Sequence, residues 1–312
     1  MTRLTLKFML TAAVSLSALT SAYAAEPESC GTVRFADVGW TDITATTATV
    51  SSILKGLGYQ TDIKVLSVPV TYQSLKNKDI DVFLGNWMPT QEADVRPFLN
   101  DKSVESFGPN LEGAKYTLAT NAKGAELGIK DFKDIAAHKA DLDGKIYGIE
   151  PGNDGNRLII DMTDKDTFGL KGFEVVESSE QGMLAQVARA EKDGTPVIFL
   201  GWEPHPMNAK FPLKYLPGGE DFFGGEGVVD TVTRKGYAAE CPNVGKLLAN
   251  LKFSLPMENE IMGKILNDGA DPADATMEWL KANPDTALSW VDGVTTLDGG
   301  DGTAAVKAML GS

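Results

Sequence analysis

Three of the chain's five tryptophans stand beside a glycine just after a run of apolar, β-forming residues: Trp40 in "GWTD", Trp87 in "GNWMPT" and Trp202 in "GWEPHP". An indole face carries the negative side of the ring quadrupole, so converging tryptophans attract a cation, at roughly 2 kcal/mol or more per desolvated contact. The cation best suited to such walls has no hydrogen-bond donors of its own, as in a quaternary ammonium. One strand-end tryptophan is ordinary packing; three at equivalent places read as a cage. Trp279 and Trp290 lie in helical patterns and read as core. The polar groups in these three loops and in a fourth strand-end loop, "PGNDGN" (151–156), are Asp42, Asn86, Asn153, Asp154 and Glu203, too few for a sugar, which stacks on tryptophan but also needs many polar partners. The stretch "PGNDGN" (151–156) lacks the spacing of a dinucleotide or phosphate loop. Its glycines let the backbone and Asn153 approach a small ligand closely, and Asp154 reads as turn chemistry or a helix N-cap.

Holding these loops in place requires alternating strands and helices. "TVRFADV" (32–38) leads into a helix over 43–59, "TDIKVLSV" (61–68) into a short helix around 72–77, and then comes "IDVFLG" (80–85). The order repeats with "KIYGIE" (145–150), a helix near 156–166, "FEVVES" (173–178), a helix over 180–192 and "PVIFLG" (196–201). After Cys241 the chain is mainly helical. The pattern predicts an α/β protein of two lobes, the first (25–113 plus 214–312) completed by the C-terminal part and the second formed by 114–213. The chain would cross near Gly113–Ala114 and again near Pro212–Lys214. Ligands of open α/β sheets gather beyond the carboxyl ends of the strands, where the tryptophans fall.

Residues 1–24 read as an export signal: Arg3 and Lys7, an apolar stretch from Phe8 to Leu19, and small residues that suit cleavage after Ala24. That stretch is too short for a membrane span, and Cys30 lies too far from the cleavage point for lipid attachment. A soluble, periplasmic protein is expected. The net charge of −14 becomes more negative once Arg3 and Lys7 are removed, which disfavours nucleic acid and anionic membranes. Exported Cys30 and Cys241 meet an oxidising compartment, where a disulfide is expected; the alternative is two buried thiols. No metal-ligand spacing and no cofactor motif occur. The two histidines are His138 and His205, and neither a G-x-S-x-G elbow nor an H-E-x-x-H helix is present. An enzyme, for instance a choline-ester hydrolase, would have to use His205 as its base. Packing between Pro204 and Pro206, or a bond to a backbone carbonyl, is the simpler reading.

The motifs "GWTD", "GNWMPTQ", "KYTLAT", "PGNDGN" and "GWEPHPM", in that order over the whole mature chain, resemble those of the substrate-binding proteins of quaternary-amine ABC importers, and of their choline-binding members in particular. The resemblance implies a type II periplasmic binding fold whose two lobes close about a hinge, and delivery of the ligand by a monomer to a membrane permease with a cytosolic ATPase. It also implies that Trp40, Trp87, Tyr116 and Trp202 wall the trimethylammonium group, while Asp42 and Asn153 hold the choline hydroxyl. Tyr116 enters through the resemblance alone; on its own sequence it reads equally well as a strand residue.

Asp42 separates choline from glycine betaine. An ionised carboxylate accepts the choline hydroxyl in a charge-assisted bond, whereas betaine would set a second carboxylate against it, at a cost of several kcal/mol or a captured proton. No Arg or Lys occurs in the four loops, although Lys115 is adjacent to Tyr116. Choline is therefore expected to bind well and betaine more weakly, with acetylcholine depending on the room beyond Asp42. Choline has seven heavy atoms, and at about 1.5 kcal/mol per atom its binding is bounded near 10 kcal/mol, a dissociation constant on the order of tens of nanomolar.

Overall fold

The computed structural model describes residues 25–311; the export signal lies outside them. Both predicted repeats are present. The first runs β1 (Thr32–Asp37), α1 (Thr41–Gly56), β2 (Gln60–Val65), α2 (Val68–Asn77) and β3 (Val82–Met88), followed by α3 (Glu92–Asn100). Next come β4 (Val104–Thr120) and α4 (Ala122–Leu127). The second repeat runs β5 (Lys145–Tyr147), α5 (Asp154–Asp164), β6 (Glu174–Val176), α6 (Glu180–Asp193) and β7 (Ile198–Glu203), with β8 (Lys214–Tyr215) and β9 (Gly227–Arg234) behind it. Within each repeat the strands are parallel, as β-α-β crossovers require.

Two strands without a counterpart in the sequence reading join the repeats. The sheet order is β2-β1-β3-β9-β4-β7-β5-β6, with β8 also on β4. β9 lies antiparallel between β3 and β4. β4 is long and serves both halves: up to Ala114 it pairs with β9, and from Lys115 onward with β7. Gly108, Pro109 and Gly113 break its sequence into what looks like loop, and the register shifts at just those places, so the strand passes through as a series of bulges. β8 still pairs with the second half of β4, through Ala119 and Thr120, whereas β9 begins at Gly227 in the first.

The helices 242–250, 255–268 and 272–282 complete the first half, the last two packing on α1. Trp290 and Trp279 are core residues, as expected: Trp290 is buried with its indole N–H on the Lys252 carbonyl, and Trp279 is nearly so, bonded to Glu260. Cys30 and Cys241 form the expected disulfide, with Cα atoms 5.7 Å apart and 211 residues between them in the chain. It ties the start of β1 to the start of the 242–250 helix. Among the described residues no helix is long and apolar enough to cross a membrane.

Candidate functional site

The "GWTD" turn is built by Asp37 at the end of β1. Its carboxylate accepts from the Gly39 backbone N–H (2.7 Å) and the Thr44 hydroxyl (2.8 Å), folding the loop onto the first turn of α1. Trp40 is the N-cap residue of α1, and Asp42 lies in its first turn, where the unpaired N–H groups and the helix dipole favour a negative charge. Trp87 and Trp202, expected in loops after their strands, instead lie within β3 and β7. Their antiparallel partners β9 and β4 keep pairing past the glycines, so that Trp87 sits opposite Val229 and Trp202 opposite Tyr116. The preceding glycines have a packing cause: a Cβ on Gly85 would stand 2.8 Å from the Ile43 side chain, and one on Gly201 2.9 Å from the Tyr215 ring.

These elements bring the six residues singled out from the sequence onto one cavity, lined by Trp40, Asp42, Trp87, Tyr116, Ile149, Asn153 and Trp202. It lies at the seam of the sheet halves, with Tyr116 set edge-on between Trp87 and Trp202 at centroid distances of 6.0 and 6.3 Å. Ile149 was missed, although it lies just beyond β5, where the strand-end rule would have looked. Asn86, Glu203 and Lys115 are absent from the lining. Asn86 is occupied by the Tyr72 hydroxyl (2.7 Å), and Lys115 lies over the Tyr215 ring.

Among the described residues Asp42 is the only charged group in the lining. It is 1% exposed. Its Oδ2 accepts the Trp87 indole N–H at 3.1 Å, and its Oδ1 has no hydrogen-bond partner among the described residues. Asn153 is committed through its carbonyl oxygen, which accepts the Tyr116 hydroxyl (3.0 Å) and the Asn156 backbone N–H (3.1 Å). Asn153 is therefore the N-cap of α5, and Asp154, expected to cap, is the first helical residue, buried with Oδ2 unpaired among the described residues. Asn153 Nδ2 donates one hydrogen to Asp154 Oδ1 at 3.3 Å, which leaves the other.

The carboxylates around the seam resist ionisation. Burial, with the charge of Glu180 added, pushes Asp42 up to about 8. Burial likewise raises Glu150 to about 7 and Asp154 to about 6. Behind Asp42, Glu258 from the 255–268 helix is held well above the usual carboxylate range by burial and by the charge of Asp42. The cavity is thus poor in compensating cations and suited to a positively charged guest.

Residues from both halves meet directly at the seam. The Trp40 indole N–H donates to Glu150 Oε1 (2.9 Å), and Arg157 Nη2 of α5 meets Asp94 of α3 (2.6 Å). Glu180 of α6 accepts from both the backbone N–H and the hydroxyl of Thr41. Glu150 and Glu180 escaped the sequence reading because an acidic residue after a strand carries no mark of what it will face. His205 does not line the cavity: its Nδ1 accepts the Met207 N–H (2.9 Å), a backbone bond but to an N–H where a carbonyl was expected, and its Nε2 lies 3.1 Å from Glu180.

A two-halved α/β fold with an aromatic cage at its seam defines a protein built to enclose a small molecule. Comparison with known proteins places it within that class. The model of OpuAC, the substrate binding domain of an ABC-type glycine betaine transport system, matches residues 31–282, and the chain belongs to that family. A choline-binding protein of an ABC transporter, solved in complex with choline, is 75% identical, with a TM-score of 0.90 over 91% of this chain and 100% of the other. Lactococcal OpuAC in its closed-liganded conformation with glycine betaine is 26% identical, with a TM-score of 0.76 over 84% of this chain and 99% of its own. The glycine betaine/proline betaine-binding periplasmic protein of Salmonella typhimurium is 24% identical over 280 residues, 78% of this chain and 84% of its own length. The type II two-lobed fold and the transport role of the family are as the resemblance implied, and nothing in these relatives supports a hydrolase.

Proposed function

We propose that the protein is exported to the periplasm, captures choline between its lobes as a monomer and hands it to an ABC permease without turning it over. Trp40, Trp87, Tyr116 and Trp202 wall the trimethylammonium group. Asp42 accepts the choline hydroxyl hydrogen through Oδ1, while Asn153 donates to the hydroxyl oxygen through its spare Nδ2 hydrogen. The observation that carries this reading is the buried Asp42 carboxylate with one unpaired oxygen in an otherwise aromatic and neutral cage. An alcohol needs one acceptor and one donor, and a cation needs one negative charge; the cavity offers that set. The lobes are 25–113 plus 214–312 and 114–213.

Calorimetric titration of the mature protein, freed of ligand, tests the reading. Micromolar or tighter choline binding with much weaker glycine betaine binding is expected. Equal affinities would refute the role given to Asp42, and silence from both in folded protein would refute the quaternary-amine reading.

The raised carboxylates imply a pH effect on the empty protein. In the closed form Asp42 keeps its proton up to about 8; opened to water, it returns toward the ordinary value of about 3.9. The closed empty form therefore binds more protons, and acid favours it, by up to about tenfold per pH unit between those two values. Small-angle scattering of the empty protein should give a smaller radius of gyration at pH 6 than at pH 9. An identical radius at both would contradict this.

A further inference from the structure

Beside the cavity, and outside its lining, a fully buried acid joins the two halves of the molecule. Glu180 begins α6 in one half, and its side chain is 0% exposed. It takes the Thr41 backbone N–H at 2.8 Å and the Thr41 hydroxyl at 2.6 Å, at the first turn of α1 in the other half. There the carboxylate satisfies an N–H that the helix leaves unpaired and gains from the helix dipole. His205 fixes its aim: because His205 Nδ1 accepts the Met207 N–H, the ring proton sits on Nε2, directed at Glu180 Oε1 3.1 Å away. The same ring stands against the Trp202 wall, 4.8 Å between centroids.

We propose that Glu180 is the latch of the closed state and that His205 is its positioning residue. The proposal rests on the choline reading of the cavity but uses residues outside the lining. When the lobes part, Glu180 and Thr41 are both returned to water, so the latch acts only after closure. Its effect therefore falls on the rate of ligand escape rather than on the rate of encounter.

Stopped-flow tryptophan fluorescence on the mature protein separates the two rates. For Glu180→Gln, choline dissociation is expected to be about tenfold faster or more, because bonds to a charged group become bonds to a neutral one, with association within about twofold of wild type. Thr41→Val should also release choline faster, and Thr41→Ser, which restores the hydroxyl, should restore the slow rate. At pH 9, where the empty protein is open, the melting temperature of ligand-free Glu180→Gln should match wild type, since the open form does not use the latch; a merely structural role would lower it. Dissociation within twofold of wild type for both Glu180→Gln and Thr41→Val overturns the proposal, as does a lowered melting temperature of the ligand-free variant at pH 9. If the wild-type protein bound no choline, the cavity reading alone would fall. The latch is then judged by hydrogen exchange of the empty protein at pH 6, where the closed form gains population: weaker protection of the Thr41 amide in Glu180→Gln supports it, and unchanged protection overturns it.

Discussion

Asp42→Asn weakens choline binding by about two to three orders of magnitude. The substitution keeps the shape but removes the only carboxylate among the described residues lining the cavity, the one acid there that can ionise against the ammonium. Unit charges about 4 Å apart in surroundings of effective dielectric near 20 attract by roughly 4 kcal/mol, and most of that is lost. The loss is not a loss of folding. Burial opposes ionisation of Asp42 and holds it at about 8, so above the ordinary carboxylate value its charge costs the closed form stability rather than supplying it. The variant is therefore expected to melt at or above the wild-type temperature at pH 7. Glycine betaine should respond in the opposite sense, gaining or holding affinity once the facing carboxylate is gone. Calorimetry with both ligands checks this, and a choline loss below about fivefold would show that the ammonium charge is balanced elsewhere.

Trp87→Ala has the second large effect, because one side chain performs two tasks. Its face is one wall of the cage, worth roughly 2 kcal/mol toward a desolvated cation. Its indole N–H is the only donor to Asp42 Oδ2 from a side chain among the described residues, and leaving a buried acceptor unpaired costs about 1–3 kcal/mol. Together these predict about 3–5 kcal/mol, a weakening of at least two orders of magnitude for choline. Trp87→Phe separates the tasks: it keeps an aromatic face and loses the N–H, so its affinity should fall between wild type and Trp87→Ala. If Phe and Ala bind alike, the ring face contributes nothing and the cage has three walls.

The two repeats were legible because apolar runs of period two alternate with helical runs of period 3.6, a local signal that survives any tertiary arrangement. The three tryptophans were legible for a related reason: each follows such a run, and strand ends are where an α/β sheet gathers its site. Tyr116 was not. It stands mid-strand in β4, and only pairing with Trp202 across the ladder puts its ring between two walls. β4 and β9 themselves were hidden, β4 by the glycines and proline at its bulges and β9 by nothing stronger than an unremarked alternation in "GVVDTVTR".

The amino-acid sequence by itself determined the α/β rhythm, the three strand-end tryptophans and the cysteine pair, and it set out the export signal and the pairing of Asp42 with a cation as expectations. Tertiary structure alone decided that the two halves share one sheet through β4, and that Asn153 rather than Asp154 caps α5. It also decided that Asp42 keeps a free oxygen and that Glu180 and Glu150 face partners from the opposite half. Periodicity and residue type are properties of neighbours in the chain. Which donor meets which acceptor, and how far burial moves a carboxylate, depend on atoms more than a hundred residues apart that meet only when the lobes are assembled.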